Sequence, residues 1–170
     1  MYQDLFAKDI LVIGCGNPLL GDDGFGPAVI ESLEAQSIAS DHLGLLDAGT
    51  SVRELLFDLL VSPKKLHTLI LVDAVLQPNA LPGDILPILL DQIPVNKVHD
   101  YSLHQFPTTN MLQELKNSTQ IDIQMYGVQV SCIPEKVKPG LSLPVKKAVA
   151  GMCSMILEKI NERSRIHADL

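Results

Sequence analysis

Two adjacent carboxylates, Asp22 and Asp23, stand in a glycine-rich loop that links an apolar run to a helix start. Two more acids, Asp47 and Asp73, end apolar segments further along, and His104 sits in a polar stretch after them. Carboxylates and an imidazole brought together make a metal site. Asp23, Asp73 and His104 converging on one rim would supply three ligands and leave positions open for a reactant. Such a set suits zinc, nickel, iron or manganese, and the spacing does not choose among them because the three residues lie on separate elements. Asp73 is the most informative of the three, since an acid that ends Leu69-Ile70-Leu71-Val72 is costly to desolvate without a partner or ligand.

Simpler roles exist for each residue. Asp22 or Asp23 could cap the helix that begins near Gly24. Asp73 could be a structural acid bonded to backbone N–H groups, and His104 an ordinary loop histidine. Asp47, followed by Ala48-Gly49-Thr50, is expected to shape a turn. His42, His67 and His99 have no supporting context and are expected to be surface or packing residues. Cys15, Cys132 and Cys153 are odd in number and form no CxxC, which argues against a disulfide framework or zinc ribbon and suits a reducing cytoplasm. Cys15 is expected to fill a tight turn rather than to react.

The elements that must position these residues are legible as alternating patterns. Ile10 to Ile13 is a β run that turns at Gly14-Cys15-Gly16-Asn17. A helix over Pro27 to Gln36 follows, with Val29, Ile30 and Leu33 inward. A short strand at Leu43 to Leu46 precedes a helix opened by a Ser51/Glu54 capping box and carrying Val52, Leu55, Leu56, Leu59 and Leu60. His67 to Val75 is apolar enough for a strand buried on both faces. Asp84 to Leu90 predicts another strand, despite Pro87. Beyond the polar stretch Asn96 to Pro107, a helix is expected over Thr109 to Lys116, then a strand over Ile121 to Val130. Ser142 and Pro144 open a last helix, with Val145, Ala148, Val149, Met152, Met155, Ile156 and Ile160 buried. Asn161 to Leu170 is polar and expected to fray.

This order predicts an α/β fold: a three-layer α/β/α domain over residues 1–170, with a mainly parallel, twisted five-stranded sheet and helices on both faces. Right-handed crossovers would place every strand-to-helix loop on one rim, the usual ligand edge of such sheets. A hydrophobic content of 46% and a positive mean hydropathy supply ample core material.

Several functions are disfavoured. A formal charge of −7 without a basic cluster argues against nucleic acid or an anionic membrane as partner. No apolar run is long enough to span a bilayer, and the opening MYQDLFAKD lacks a signal peptide's basic start. Gly14-x-Gly16-x-x-Leu19 misses the third glycine of a dinucleotide loop, and Asp22 and Asp23 would repel a pyrophosphate. GxSxG, HExxH and the P-loop pattern are absent.

The string Gly14-x-Gly16-Asn17-x-Leu19-x-x-Asp22-Asp23-Gly24-x-Gly26 resembles the signature of the hydrogenase maturation endopeptidases. Asp47-Ala48-Gly49-Thr50, Leu71-Val72-Asp73-Ala74, Ser102-Leu103-His104-Gln105, Ile133-Pro134 and Gly140-Leu141-Ser142 follow in the family's order. The Asp-Asp form, with Pro18 and Phe25, is most similar to the branch serving deazaflavin-coenzyme-reducing hydrogenases of methanogens. The resemblance implies a cytoplasmic endopeptidase that trims a C-terminal extension from the large-subunit precursor of a nickel–iron hydrogenase. The precursor's nickel would be the recognition element, contacted by Asp23, Asp73 and His104. Many members carry Glu where this chain has the shorter Asp23. Nickel held by substrate thiolates would polarise the scissile carbonyl or lower the pKa of the attacking water, so the resting enzyme could be metal-free. Gly16 and Gly49 would keep the rim open for an extended peptide. Two other classes stay open: a hydrogenase-associated subunit or chaperone that inspects the nickel site without cutting, and a dinucleotide-dependent oxidoreductase.

Overall fold

A computed structural model describes residues 4–36, 41–62, 66–92 and 107–168. The strands are β1 (Ile10–Cys15), β2 (Leu43–Gly49), β3 (Thr68–Val75), β4 (Ile85–Pro87) and β5 (Asp122–Gln129). The helices are α1 (Phe25–Ala35), α2 (Val52–Leu60), α3 (Pro107–Ser118) and α4 (Leu143–Ala168). The sheet runs in the order β2-β1-β3-β5-β4, parallel except for β4, which pairs antiparallel with β5 at the edge. This is the expected three-layer α/β/α architecture.

Alternation along the inner strands explains the layers. Val12, Ile70, Val72 and Val128 face α1 and α4, meeting Phe25, Val29, Ile30, Leu33, Val145, Met152 and Ile156. Leu11, Ile13, Leu69 and Leu71 face the other way, against Val52, Leu55, Leu56, Leu59, Leu112 and Leu115. Each of these side chains is buried. Truncating one of the buried leucines to alanine is worth about 2–5 kcal/mol.

Chain order fixes where a ligand can enter. From β1 the chain passes through α1 to β2 on one side, then through α2 to β3 on the other side of β1. The crossovers diverge between β1 and β3, opening a crevice at their carboxyl ends. Gly14↔Val72 is the last paired position there, so Cys15 and Asp73 come level at its mouth. α1 starts close above it, because two glycines let backbones touch. A Cβ on Gly14 would strike the Gly26 carbonyl, and one on Gly26 would strike Cys15 and come within 2.7 Å of the Val72 oxygen.

Some local expectations shift. α1 begins at Phe25, two residues before Pro27, which still lies in the first turn. Ser51 precedes α2 without a side-chain cap, so the capping box is not formed. β4 is only three residues long, and Pro87 is tolerated because β4 is the edge strand, where the Ile88 N–H still reaches the Met125 carbonyl at 2.8 Å. α4 continues as helix through Ala168, well into the polar stretch Asn161 to Leu170 that was expected to fray. His42 and His67 are on the surface as expected, but both reach Asp9 at the opposite rim. Their Nδ1 atoms lie 2.5 Å and 3.5 Å from its carboxylate.

Gly26→Ala forces three backbone contacts at once and is expected to cost about 3 kcal/mol or more, the upper end of overpacking penalties. Urea denaturation should show the midpoint falling well below that of Ala28→Gly, a change made at a half-buried position of the same helix.

Candidate active site

The loop after β1 turns at Gly16, whose φ of +129° favours glycine. Gly16 was expected to hold the rim open. Instead the carbonyl of Asp23 closes onto it, where any Cβ would collide. The chain then enters a 3-10 turn, Gly21–Gly24, that carries both acids. Asp22 and Asp23 are each 2% exposed. They point to different partners.

Asp23 Oδ2 accepts the backbone N–H of Asn17 at 2.9 Å, and Asn17 Oδ1 accepts the N–H of Leu19 at 3.0 Å. These bonds fold the loop back so that Asp23 overlies the end of β1. Asp22 caps neither the 3-10 turn nor α1, since neither has a side-chain cap. It accepts instead from distant segments: the N–H of Ser131 at 2.8 Å, and the N–H and Oγ–H of Ser142 at 2.6 Å and 2.9 Å. Sequence reasoning placed Ser142 only at the opening of the last helix and did not single out Ser131; neither was expected to meet Asp22. The available signal was a doubled acid in an apolar setting, which requires donors from somewhere.

Asp73 is half-buried and lies within β3, two residues before its end, continuing the Leu69–Leu71 row. One carboxylate oxygen accepts the N–H of Ala74 at 2.8 Å. Asp47 is exposed, and its Oδ1 accepts the N–H of Gly49 at 2.9 Å, forming the expected turn. Cys15 reports how these acids are grouped. Burial pushes its thiol well above the usual range, and the charges of Asp73, Asp47 and Asp23 push it further. The charges of all three carboxylates are thus felt at one buried sulfur at the head of the β1/β3 crevice. Such a thiol is a neutral filler and a poor nucleophile.

His104 lies outside the described residues, as does His99. Among the described residues no three His, Cys, Asp or Glu side chains are grouped to hold a metal ion. Asp23 and Asp73 offer hard oxygen donors of the kind a divalent metal accepts. Beside the 3-10 turn, a cleft of about 430 Å³ is walled by Pro18, Gly24, Pro27, Glu31, Asp47 and Leu141, among others.

A family model described as hydrogenase maturation protease matches residues 27–159. The chain belongs to the hydrogenase maturation protease family. It is 30% identical over 155 residues to the hydrogenase 2 maturation protease of Escherichia coli, covering 90% of this chain and 91% of that protein. It is 36% identical over 163 residues to the coenzyme F420 hydrogenase subunit delta of Methanothermobacter thermautotrophicus, covering 91% and 96%. The solved hydrogenase maturating endopeptidase HybD of E. coli superposes with a TM-score of 0.69 at 27% identity, covering 91% of this chain and 93% of that one. The family membership and fold agree with the resemblance carried by the motifs. No helix among the described residues is long and apolar enough to cross a membrane.

Two measurements probe Cys15. Alkylation of the folded protein near pH 8 should modify exposed Cys132 rapidly and spare buried Cys15 and Cys153, all three reacting in urea. The raised thiol pKa also links to stability. Its contribution is complete below the unfolded value near ~8.5 and is lost as pH rises from there toward the folded value. Urea unfolding at pH 7 and pH 9.5 should therefore show a larger loss for the wild type than for Cys15→Ala.

Proposed function

We propose that this protein is a cytoplasmic endopeptidase that removes the C-terminal extension from the large-subunit precursor of a nickel–iron hydrogenase. Membership of the maturation protease family carries this reading. The grouping of Asp23 and Asp73 around the β1/β3 crevice supports it, and neither a nucleotide nor a nucleic acid is needed.

In this reading the precursor arrives with nickel bound as part of the substrate. Asp23 and Asp73, with His104 from the segment before α3, are the ligands that the protein offers to that metal. The metal supplies Lewis acidity at the scissile carbonyl or acidifies the attacking water. The Asn17 N–H holds the Asp23 carboxylate in one orientation. The Ala74 N–H does the same for Asp73. Both orient ligands before substrate arrives. The neighbouring cleft, with proline and leucine walls, has room for residues of an extended peptide on either side of the cut. No side-chain nucleophile is called for, which suits a Cys15 kept protonated.

One observation favours a second reading. A relative covering nearly the whole chain is named a hydrogenase subunit, not a protease. The protein would then bind the nickel-loaded large subunit without cutting it.

Incubation with nickel-loaded and nickel-free precursor separates the two. Mass spectrometry should show loss of a C-terminal peptide from the loaded form alone. A stable complex with no mass change would favour the non-cleaving partner. Asp23→Asn, Asp73→Asn and His104→Ala are each expected to slow cleavage by roughly 100-fold or more, beyond the ~10–100-fold typical of groups that only support ligands. Full activity in any of them removes that residue from the site.

A further inference from the structure

We infer that Asp22 is a positioning residue: its carboxylate clamps the 3-10 turn to the start of α4 and so fixes the direction of Asp23. Asp22 is buried, and among the described residues no cation pairs with it. Its charge is met instead by three donors that lie 109 and 120 residues away in sequence. A carboxylate is well matched to such a clamp. Three donors converge on its two oxygens, whereas an asparagine offers one oxygen and turns an NH₂ group toward N–H and O–H donors. Burying such a mismatch costs more than losing one bond.

The donors are themselves anchored. Ser142 stands immediately before α4, and its carbonyl accepts the N–H of Lys146 at 2.8 Å, as a helix-opening residue's does. α4 is held in the core by Val145, Met152 and Ile156. The segment between Ser131 and Ser142 is tied to the same loop a second time. Gly21 N–H donates to the Lys138 carbonyl at 3.0 Å, and Lys138 N–H donates to the Leu19 carbonyl at 2.9 Å. Asp22 is thus gripped from one side while Asp23, the next residue in the turn, reaches the Asn17 N–H on the other. Rotating the turn would break both sets of bonds, so the clamp that holds Asp22 also sets where the Asp23 carboxylate lies. Asp22 itself touches no reactant.

The kinetic arm of the test rests on the endopeptidase reading; the spectroscopic arm does not. Asp22→Asn should lower kcat for the nickel-loaded precursor by about 100-fold, the scale of an ångström-sized misplacement, with KM within about threefold. Ser142→Ala keeps the backbone donor and loses one of three bonds, so a smaller fall is expected. In ¹⁵N–¹H spectra the Asn17 amide, bonded to Asp23, should move in both variants, and further in Asp22→Asn. A merely structural role would lower the melting temperature, leaving kcat per folded molecule and the Asn17 resonance unchanged; that result overturns the inference. If Asp22→Asn does not fold, Ser142→Ala decides by the same two readouts. If the wild type cleaves nothing, the endopeptidase reading fails, and the Asn17 shift still judges the clamp.

Discussion

Everything at the working rim depends on two glycines letting backbones meet. Gly14 at the end of β1 and Gly26 at the start of α1 touch with no side chain between them. That contact brings the helix start directly over the crevice, leaving little height for the loop in between. The loop must then lie flat, and it does so through the left-handed Gly16 and a 3-10 turn. A flat loop over the strand ends carries its acids into the protein, where only hydrogen bonds or a ligand can accommodate them. The chemistry of the rim is therefore a consequence of packing at the α1–β1 contact.

Charge placement follows from the same constraint. Three acids press on one buried sulfur, and a fourth is satisfied by donors from the far end of the chain. In water such a concentration of like charge would disperse by side-chain rotation. Here each acid has its own role. Asp47 shapes its own turn, Asp22 ties the chain together, and in the proposed reaction Asp23 and Asp73 are offered to the metal. A hydrogenase maturation protease that reads a metal carried by its substrate needs such a division, because a structural acid that moved with the ligand would soften the site.

The sheet, its helices and most buried side chains were legible because they obey local periods. The Val52, Leu55, Leu56, Leu59 stripe and the apolar run of β3 announce themselves within a dozen residues. The candidate acids were legible by position, since each falls near a strand end. What the sequence concealed was who holds whom. Asp22 looked like a helix cap because the nearest helix start was next to it, yet its donors lie more than a hundred residues on. Gly16 looked like empty space for a peptide, and the Asp23 carbonyl fills that space. Asp9 bridging His42 and His67 was hidden for the same reason: parallel strands bring together residues that no local window contains.

The short antiparallel edge has a consequence of its own. β4 ends at Pro87, which has no N–H to offer a neighbour, and the strand is three residues long. Another chain arriving in extended form finds almost no ladder to join on that flank. On that side, a protein proposed to handle loose peptide tails is poorly suited to taking one up as an extra strand, or to stacking on copies of itself.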